Sequence, residues 1–356
     1  MDVRAKDAAS LNVALLGYGF ASKTFHAPLL VRVLGLRLTH IVSSDSAKVK
    51  KDYPDISVLA KPEEAFSLPE IDVIVIATPN PTHFDLAQRA LRAGKHVVVD
   101  KPFTNTVAEA TELIKLARAE RKTLSVFQSR RWDGDFLTLR KLLADDSLGK
   151  VALFESHYDR YRPEPRVRWR EQNVPGAGLW FDLGPHLVDQ TMQLFGPPES
   201  IYADLEIQRT NGLANDYFHV IFRYGKTRAI LHGASLVVAE TPRFTVHGAL
   251  GSYTKFGMDT QEESLKRGEI PGGAGWGNDP RMGTLITKKD DGFETKQLPN
   301  IPGNYLGYYE GLRDAILTGA PSPVTAEDGL AVINVLETAV KSSVARAEMP
   351  FHPIKL

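Results

Sequence analysis

The stretch VALLGYGFAS, residues 13 to 22, decides the fold. Its four apolar residues predict a short buried strand, and the motif Gly17-x-Gly19-x-x-Ser22 follows at once and opens a helix. Gly17 permits a tight turn, and Gly19 lets a pyrophosphate approach the backbone at the N-terminus of that helix. A lone G-x-G can be only a turn. Its position in a strand–turn–helix–strand unit nevertheless favours dinucleotide binding.

The first third of the chain alternates strand and helix patterns. Strands rich in Val and Ile are predicted at 71–79 and 96–100, and helical spacing of apolar residues follows the first of them. Nearly continuous apolar strands that alternate with helices are typical of a parallel sheet covered on both faces. We therefore expect a doubly wound Rossmann domain over residues 11–128, after a flexible N-terminus at 1–10.

The pattern changes after Trp132. Segments such as VALFESH (151–157) and YFHVIFRY (217–224) alternate apolar and polar residues, as in an antiparallel sheet with one packed face. We expect a C-terminal α/β domain over 129–356, with a large, open, predominantly antiparallel sheet and a last helix from near Thr325 to about Arg346. The Gly/Pro-rich segment 268–283 is expected to be a lid or a subunit contact.

Composition excludes several classes of protein. The 356 residues are enough for two domains, and Lys plus Arg balance Asp plus Glu at 43 each, so we expect no nucleic-acid or membrane partner. The absence of cysteine excludes disulfides, thiolate catalysis and Cys-ligated metals. The polar start has no signal-peptide pattern, and no stretch reaches the ~18 apolar residues of a membrane span. A cytoplasmic protein is the expectation.

The end of the second strand bears on the choice of dinucleotide. NAD sites usually place a carboxylate there, whereas this chain has Ser43 and Ser44, with Asp45 later and Lys48 near the next helix. Two hydroxyls and a cation suit a 2′-phosphate better than a diol, which favours NADP. Alternatively, Ser44 and Asp45 merely cap the following helix, and NAD stays open.

Three residues are candidates for alcohol oxidation. Lys101 follows the apolar run Val97–Val99, at the sheet edge where open α/β sheets bind ligands, although a lysine there can also be a solvated surface residue. Asp182 and His186 are four apart, so on a helix they face the same way. His186 follows Pro185, which suits the first turn of a helix and would leave the imidazole near a cleft. Alternatively, His186 is a histidine packed in the core, or Asp182 and His186 bind a metal, although no third ligand is spaced nearby.

Longer motifs carry a resemblance to a known family. ATPNPTH (77–83), GKHVVVDKP (94–102) and GAGLWFDLGPHLVD (176–189) follow the glycine motif in the order and spacing of the glucose–fructose oxidoreductase / inositol dehydrogenase / rhizopine catabolism (Gfo/Idh/MocA) family. The chain resembles an NADP-preferring branch of that family that acts on inositols or sugars. Two departures are visible: Asp-Lys-Pro stands for Glu-Lys-Pro at 100–102, and Gly-Ala-Gly stands for three glycines at 176–178.

The resemblance implies an NAD(P)-dependent oxidoreductase that transfers a hydride between the cofactor and a secondary alcohol of a sugar or inositol. Its catalytic residues would be Lys101, Asp182 and His186, and no metal is expected. Residues expected at the cofactor are Gly17, Tyr18, Gly19, Phe20, Ala21, Ser22, Ser43, Ser44, Lys48, Thr78, Pro79, Asn80, His83, Asp100 and Lys101. Arginines 130 and 131 follow a predicted buried strand, and the expected substrate contacts are Arg131, Tyr158, Arg160 and Trp169.

Two other functions stay open at this point. One is an NADP-binding sensor without turnover, although such a protein has no need to keep a lysine, an aspartate and a histidine together. The other is an enzyme with a tightly held cofactor that oxidises one sugar and reduces another. In each case the alternating apolar positions of the C-terminal sheet need a cover, so we expect a homodimer or homotetramer through that sheet.

Overall fold

The computed structural model describes residues 10–356, so nearly all of the predicted flexible N-terminus lies outside the described residues. The N-terminal half is built on a six-stranded parallel sheet with the order β3-β2-β1-β4-β5-β6. The strands are β1 (Leu11–Leu16), β2 (Leu36–Val42), β3 (Ser57–Leu59), β4 (Val73–Ile76), β5 (His96–Asp100) and β6 (Leu124–Phe127). The helices are a π-helical turn (Ser22–His26), α1 (Ala27–Leu30), α2 (Ser46–Asp52), α3 (Pro62–Ser67), α4 (His83–Arg92) and α5 (Val107–Ala119).

A second sheet of nine strands forms the C-terminal half, in the order β14-β13-β12-β11-β7-β10-β9-β8-β15. Its strands are β7 (Val151–His157), β8 (Ser200–Glu206), β9 (Tyr217–Tyr224), β10 (Thr227–Ala234), β11 (Pro242–Gly248), β12 (Gly251–Phe256), β13 (Gly283–Lys289), β14 (Gly292–Leu298) and β15 (Met349–Pro350). The helices are α6 (Gly134–Ala144), α7 (Leu179–Phe195), α8 (Gln261–Lys266), α9 (Leu306–Thr318) and α10 (Ala326–Ala345). The predicted fold class is confirmed, but the sheet is mixed because β7 and β10 pair in parallel.

The strand order places a reversal at the end of β1. β1 pairs with β2 on one side and with β4 on the other, so the loops that leave β1 and β4 diverge at one edge of the sheet. Gly17 turns the chain there with φ +85°, and a Cβ at this position would lie 3.2 Å from the carbonyl oxygen of Ala77. Only glycine suits this turn. Ligands of open α/β sheets bind at such reversals.

The last long helix joins the two halves. Thr325 caps α10 in a capping box with Asp328, as the sequence predicts. Glu337 on α10 accepts a hydrogen bond from the Val107 backbone at the start of α5, and the Leu336 carbonyl accepts one from the Trp180 indole on α7. The helix therefore fixes α5 of the first half relative to α7 of the second.

Two further expectations concern membrane-spanning helices and the Gly/Pro-rich segment 268–283. In residues 10–356, no helix has both the length and the apolar character that crossing a membrane requires. The Gly/Pro-rich segment packs within the chain, since the Pro271 carbonyl accepts a hydrogen bond from Arg32 and Asp279 pairs with the buried Lys255 at 2.8 Å. A role of this segment as a lid or a subunit contact stays a prediction.

Candidate active site

Lys101 lies buried at the carboxyl end of β5. The valines before it are buried in the parallel sheet, and the side chain of Lys101 itself is only 13% exposed. Its Nζ donates a hydrogen bond to the Asp182 carbonyl oxygen at 2.6 Å and lies 3.5 Å from Asp182 Oδ1. The solvated-surface alternative for this lysine is therefore wrong. Its side chain crosses from the first sheet to the helix of the second half.

Helix α7 presents Asp182 and His186 one turn apart, but it begins earlier than the sequence suggests. The Asn215 carbonyl accepts a hydrogen bond from the Leu179 N–H at 2.7 Å, and Asn215 Oδ1 accepts one from Trp180 N–H at 2.8 Å. These contacts start the helix at Leu179, so Pro185 lies inside it rather than in its first turn. The expectation that His186 sits in the first turn is wrong, because the cap comes from a residue distant in sequence.

The electrostatic surroundings hold Asp182 in its charged form. Its carboxylate lies 3.5 Å from Lys101 Nζ, 3.8 Å from Arg170 Nε and 3.9 Å from Arg160 Nη2. Burial alone would raise the pKa of Asp182, but the charges of Lys101, Arg170 and Arg160 lower it to about 2. Burial also lowers the pKa of Lys101, and Asp182 opposes that shift. The aspartate therefore stays an anion that keeps a desolvated lysine protonated.

His186 is buried, and its surroundings favour the neutral imidazole. Burial, followed by the positive charges of Lys101 and Arg130, lowers the pKa of His186 well below 6.5. Its Nδ1 is buried and finds no hydrogen-bond partner among residues 10–356. A neutral imidazole has one ring nitrogen with a free lone pair, which can accept a proton.

The predicted substrate residues divide into two groups. Arg160 Nη2 lies 3.9 Å from the Asp182 carboxylate. Trp169 begins a short helical turn, and the Arg170 guanidinium lies 5.3 Å from the centre of the Trp169 ring. The Tyr158 hydroxyl accepts a hydrogen bond from Arg130 Nη2 at 3.0 Å. Arg130 is buried, and its positive charge helps to lower the pKa of His186. Tyr158, Arg160 and Trp169 therefore lie on segments that surround the Lys101–Asp182 pair or its neighbours.

Arg131 belongs to the structural core instead. Its Nε and Nη2 donate to the Asp189 carboxylate at 2.8 and 2.6 Å, and its Nη1 lies 3.3 Å from Asp328 Oδ2. All of these nitrogens are thus occupied by the chain's own acceptors, and the side chain is buried. A contact between Arg131 and substrate stays a prediction, and these buried ion pairs argue against it. Arg170, which the sequence analysis did not single out, lies 3.8 Å from Asp182. The repeated arginines at 160, 162, 166, 168 and 170 are the signal that could have indicated it.

The glycine loop fits a dinucleotide. A Cβ at Gly19 would meet no atom of residues 10–356 within 4 Å, so the packing of the chain does not explain this glycine, whereas close approach of a pyrophosphate does. Phe20 is 58% exposed and Ser22 is buried where the helix packs on the sheet. Ala21 precedes the π-helical turn, whose N-terminal end faces the loop. Tyr18 is buried, and its hydroxyl donates to Asp52 at 2.8 Å. The backbone of Tyr18, rather than its side chain, is therefore the part that could contact a dinucleotide.

The tip of β2 lies against the same loop. Lys48 Nζ donates to the Tyr18 carbonyl oxygen at 3.0 Å, which brings the cation beside the glycine turn. Asp45 caps α2 by accepting a hydrogen bond from Lys48 N–H, and Ser43 Oγ accepts one from Asp45 N–H. The helix-capping alternative is therefore confirmed for Asp45, while Ser44 stays exposed.

The segment after β4 supports the neighbouring loops. The hydroxyls of Thr78 and Thr82 lie 2.6 Å apart on either side of the exposed Pro79, and Asn80 Nδ2 donates to the Gly176 carbonyl oxygen at 3.3 Å. His83 is buried, with Nδ1 2.9 Å from the Pro102 carbonyl oxygen and Nε2 3.0 Å from that of Thr78. Both ring nitrogens therefore face backbone carbonyls of the loops that follow β4 and β5, and a contact between His83 and the cofactor stays a prediction.

Asp100 positions the backbone of the lysine. Its Oδ1 accepts a hydrogen bond from the Lys101 N–H at 2.8 Å and lies 3.9 Å from the buried His26 Nε2. Burial would raise the pKa of Asp100, but His26 and Lys101 hold it below 3.8. The Lys101–Pro102 peptide bond that follows is cis. Asp100 therefore orients the end of β5.

Comparison with known proteins agrees with this architecture. Residues 11–128 match the family model described as the NAD-binding Rossmann fold of the Gfo/Idh/MocA oxidoreductases, and residues 140–351 match that of their C-terminal alpha/beta domain. The chain belongs to the Gfo/Idh/MocA oxidoreductase family. The resemblance of its motifs is thus confirmed, and the protein is an oxidoreductase with a nicotinamide dinucleotide-binding domain.

Relatives in this family extend over nearly the whole chain. It is 50% identical over 340 residues to the uncharacterized oxidoreductase YdgJ of Escherichia coli K12, covering 96% of this chain and 98% of that one. It is 40% identical over 336 residues to the scyllo-inositol 2-dehydrogenase (NADP⁺) IolW of Bacillus subtilis 168, covering 94% of each. The structure of YPO2259 from Yersinia pestis is similar with a TM-score of 0.94 at 51% identity, over 98% of this chain and 99% of that one.

Proposed function

We propose that this oxidoreductase is an NADP-dependent dehydrogenase that acts on a secondary alcohol of an inositol or a sugar. The observation that carries the proposal is the buried contact between Lys101 and Asp182, with His186 one turn further along α7. The relative IolW, at 40% identity, is named for this chemistry on scyllo-inositol with NADP⁺.

The residues have complementary tasks in alcohol oxidation. The nicotinamide ring, when bound, accepts the hydride from the carbon that carries the hydroxyl. The Lys101 ammonium donates a hydrogen bond to the hydroxyl oxygen and stabilises the negative charge that develops there. The neutral His186 accepts the hydroxyl proton, and in the reverse direction returns it. Asp182 stays ionised and keeps the ammonium at its position.

The preference for NADP rests on three features at the tip of β2. Ser44 offers an exposed hydroxyl, and Lys48 is held by the Tyr18 carbonyl beside the glycine loop. Asp45, which could otherwise accept hydrogen bonds from the ribose of NAD, is occupied by the N-terminus of α2. A hydroxyl and a cation favour a 2′-phosphate.

A substrate screen tests the proposal. The purified chain is incubated with NADP or NAD and a panel of inositols, other polyols and aldoses, and reduced cofactor is followed by its absorbance. We expect NADP-dependent oxidation of at least one cyclitol or sugar, and loss of that signal in Lys101→Ala. Lys115→Ala, which removes an exposed lysine on α5, is the matched control. A chain that binds NADP but oxidises nothing in the panel would overturn the proposal in favour of a sensor.

A further inference from the structure

A row of three histidines crosses the C-terminal sheet. His157 on β7 pairs in register with His232 on β10, and His232 pairs with His219 on β9. Consecutive residues of a strand point to opposite faces, so this row lies on the face away from the Tyr158 side chain. All three histidines are half-buried. None of them belongs to the candidate active site.

A carboxylate lies between two of these rings. Asp159 Oδ2 is 3.2 Å from His157 Nδ1, and Asp159 Oδ1 is 3.4 Å from His232 Nε2. The three ligand atoms lie within 4.8 Å of one another, and the Asp159 side chain is only 4% exposed. Two imidazole nitrogens and one carboxylate oxygen form a ligand set that Zn²⁺ prefers, with water completing the coordination.

The outer nitrogen of one histidine has a hydrogen-bond partner, since His232 Nδ1 lies 3.4 Å from His219 Nδ1. Histidines that bind metals usually direct the second ring nitrogen to such a group. His157 Nε2 lies 4.0 Å from Glu155 Oε2, beyond hydrogen-bond distance. The Asp159 carboxylate is oriented by hydrogen bonds from the Thr241 hydroxyl at 2.8 Å and the Ala234 N–H at 3.1 Å.

We propose that His157, Asp159 and His232 bind a zinc ion, with His219 orienting the His232 imidazole. Without metal, the His157 ring lies at hydrogen-bond distance from Asp159, and the His232 ring lies 3.4 Å from the same carboxylate. Binding of Zn²⁺ replaces the ring protons that face the carboxylate, because a metal ligand must be deprotonated.

The position of the site indicates a structural role. The ion would tie the end of β7 to β10, and through Thr241 to the segment that leads into β11. Tyr158 and Arg160 alternate with the two ligands on β7 and its extension, so their side chains point to the other face, where Arg160 lies 3.9 Å from Asp182. Zinc would therefore stabilise the segment that carries these residues to the candidate active site.

Zinc titration of the tag-free, full-length chain tests the proposal after treatment with EDTA and dialysis. Isothermal titration calorimetry should give one Zn²⁺ per chain, and zinc should raise the melting temperature. His232→Ala and Asp159→Asn should each weaken binding by more than ~10-fold, and His219→Ala by about 10-fold, the usual effect of an outer partner. His247→Ala is the matched control, since that exposed histidine contacts only Ser252 among its hydrogen-bond partners in residues 10–356.

The wild-type titration is decisive even if a variant fails to fold. Absence of zinc binding by the folded wild-type chain would overturn the proposal and leave a metal-free hydrogen-bonded cluster. Equal zinc affinity in wild type and in a folded Asp159→Asn variant would overturn it as well, because the ion would then bind elsewhere. Circular dichroism and NADP binding check that each variant is folded.

Discussion

The Lys101 ammonium donates a hydrogen bond to the Asp182 carbonyl oxygen at 2.6 Å, across the boundary between the parallel sheet and helix α7. Lys101 is placed by β5 of the dinucleotide-binding domain, and Asp182 is placed by a helix whose start depends on Asn215. The candidate active site is therefore complete only when both halves of the chain are folded together. The shifted pKa values of Asp182, Lys101 and His186 follow from the burial of these residues and from the charges around them.

The pH dependence of alcohol oxidation should reflect the lowered pKa values of His186 and Lys101. His186 must be neutral to accept a proton, and because its pKa is lowered well below 6.5, activity should persist below pH 6.5. Lys101 must be protonated, and because burial lowers its pKa, activity should decline before pH 10.5. A bell-shaped profile of kcat/KM measures both limbs. An acid limb above pH 6.5 that is absent in His186→Ala would contradict the assignment of a buried neutral base.

Replacing Ser44 by Asp should turn the cofactor preference from NADP toward NAD. A carboxylate at this exposed position would lie beside the 2′-phosphate and repel it, while it could accept hydrogen bonds from the ribose of NAD. The ratio of kcat/KM for the two cofactors measures the change, with Ser46→Asp in the first turn of α2 as a control for added charge. If wild type binds NAD as tightly as NADP, the argument from Ser44 and Lys48 is wrong.

Replacing Arg131 by Met should lower the free energy of unfolding by about 3–5 kcal/mol, because the buried Asp189 carboxylate would lose its partner. Denaturant unfolding measures the loss, and Arg140→Met, an exposed arginine on α6, should change stability little. An Arg131→Met variant of normal stability but weakened substrate affinity would restore the substrate contact that the buried ion pair argues against.

The open face of the C-terminal sheet should bind a second copy of the chain. Ile230 on β10, Ile221 on β9 and the 40% exposed Tyr202 on β8 pair in register and form an apolar row on that face. We expect a homodimer or homotetramer by light scattering, and a shift toward monomer in Ile230→Lys. Val344→Lys, at an exposed apolar residue of α10, is the control. A wild-type monomer at micromolar concentration would contradict this prediction.

Local sequence patterns were sufficient for most of the fold. The glycine motif after β1, the Val and Ile runs and the capping residue Thr325 each act within a few residues, so their consequences can be predicted directly. The parallel pairing of β7 with β10 could not be predicted, because alternation of apolar and polar residues is the same in either direction. Some 70 residues separate the two strands in sequence.

The site was predictable where a residue's role follows from the end of its own strand or helix. Lys101 at the end of β5 and the spacing of Asp182 and His186 are of this kind. The surroundings of other residues depend on distant partners: Arg131 pairs with Asp189, and the His83 ring lies 2.9 Å from the Pro102 carbonyl oxygen. The start of α7 is likewise set by Asn215. A single sequence contains no local signal for such pairs.

The turnover of Lys101→Ala on the substrate that the screen identifies tests the central claim most directly. Folding and NADP affinity should stay close to those of wild type and of Lys115→Ala, while kcat should fall by ~10²–10⁴, the usual contribution of a positioned acid–base group. Lys101→Arg should stay poor, because a planar guanidinium needs more room than an ammonium and presents its donors in a different geometry. A Lys101→Ala enzyme with near-normal turnover would contradict the account and reduce the contact with Asp182 to a structural one.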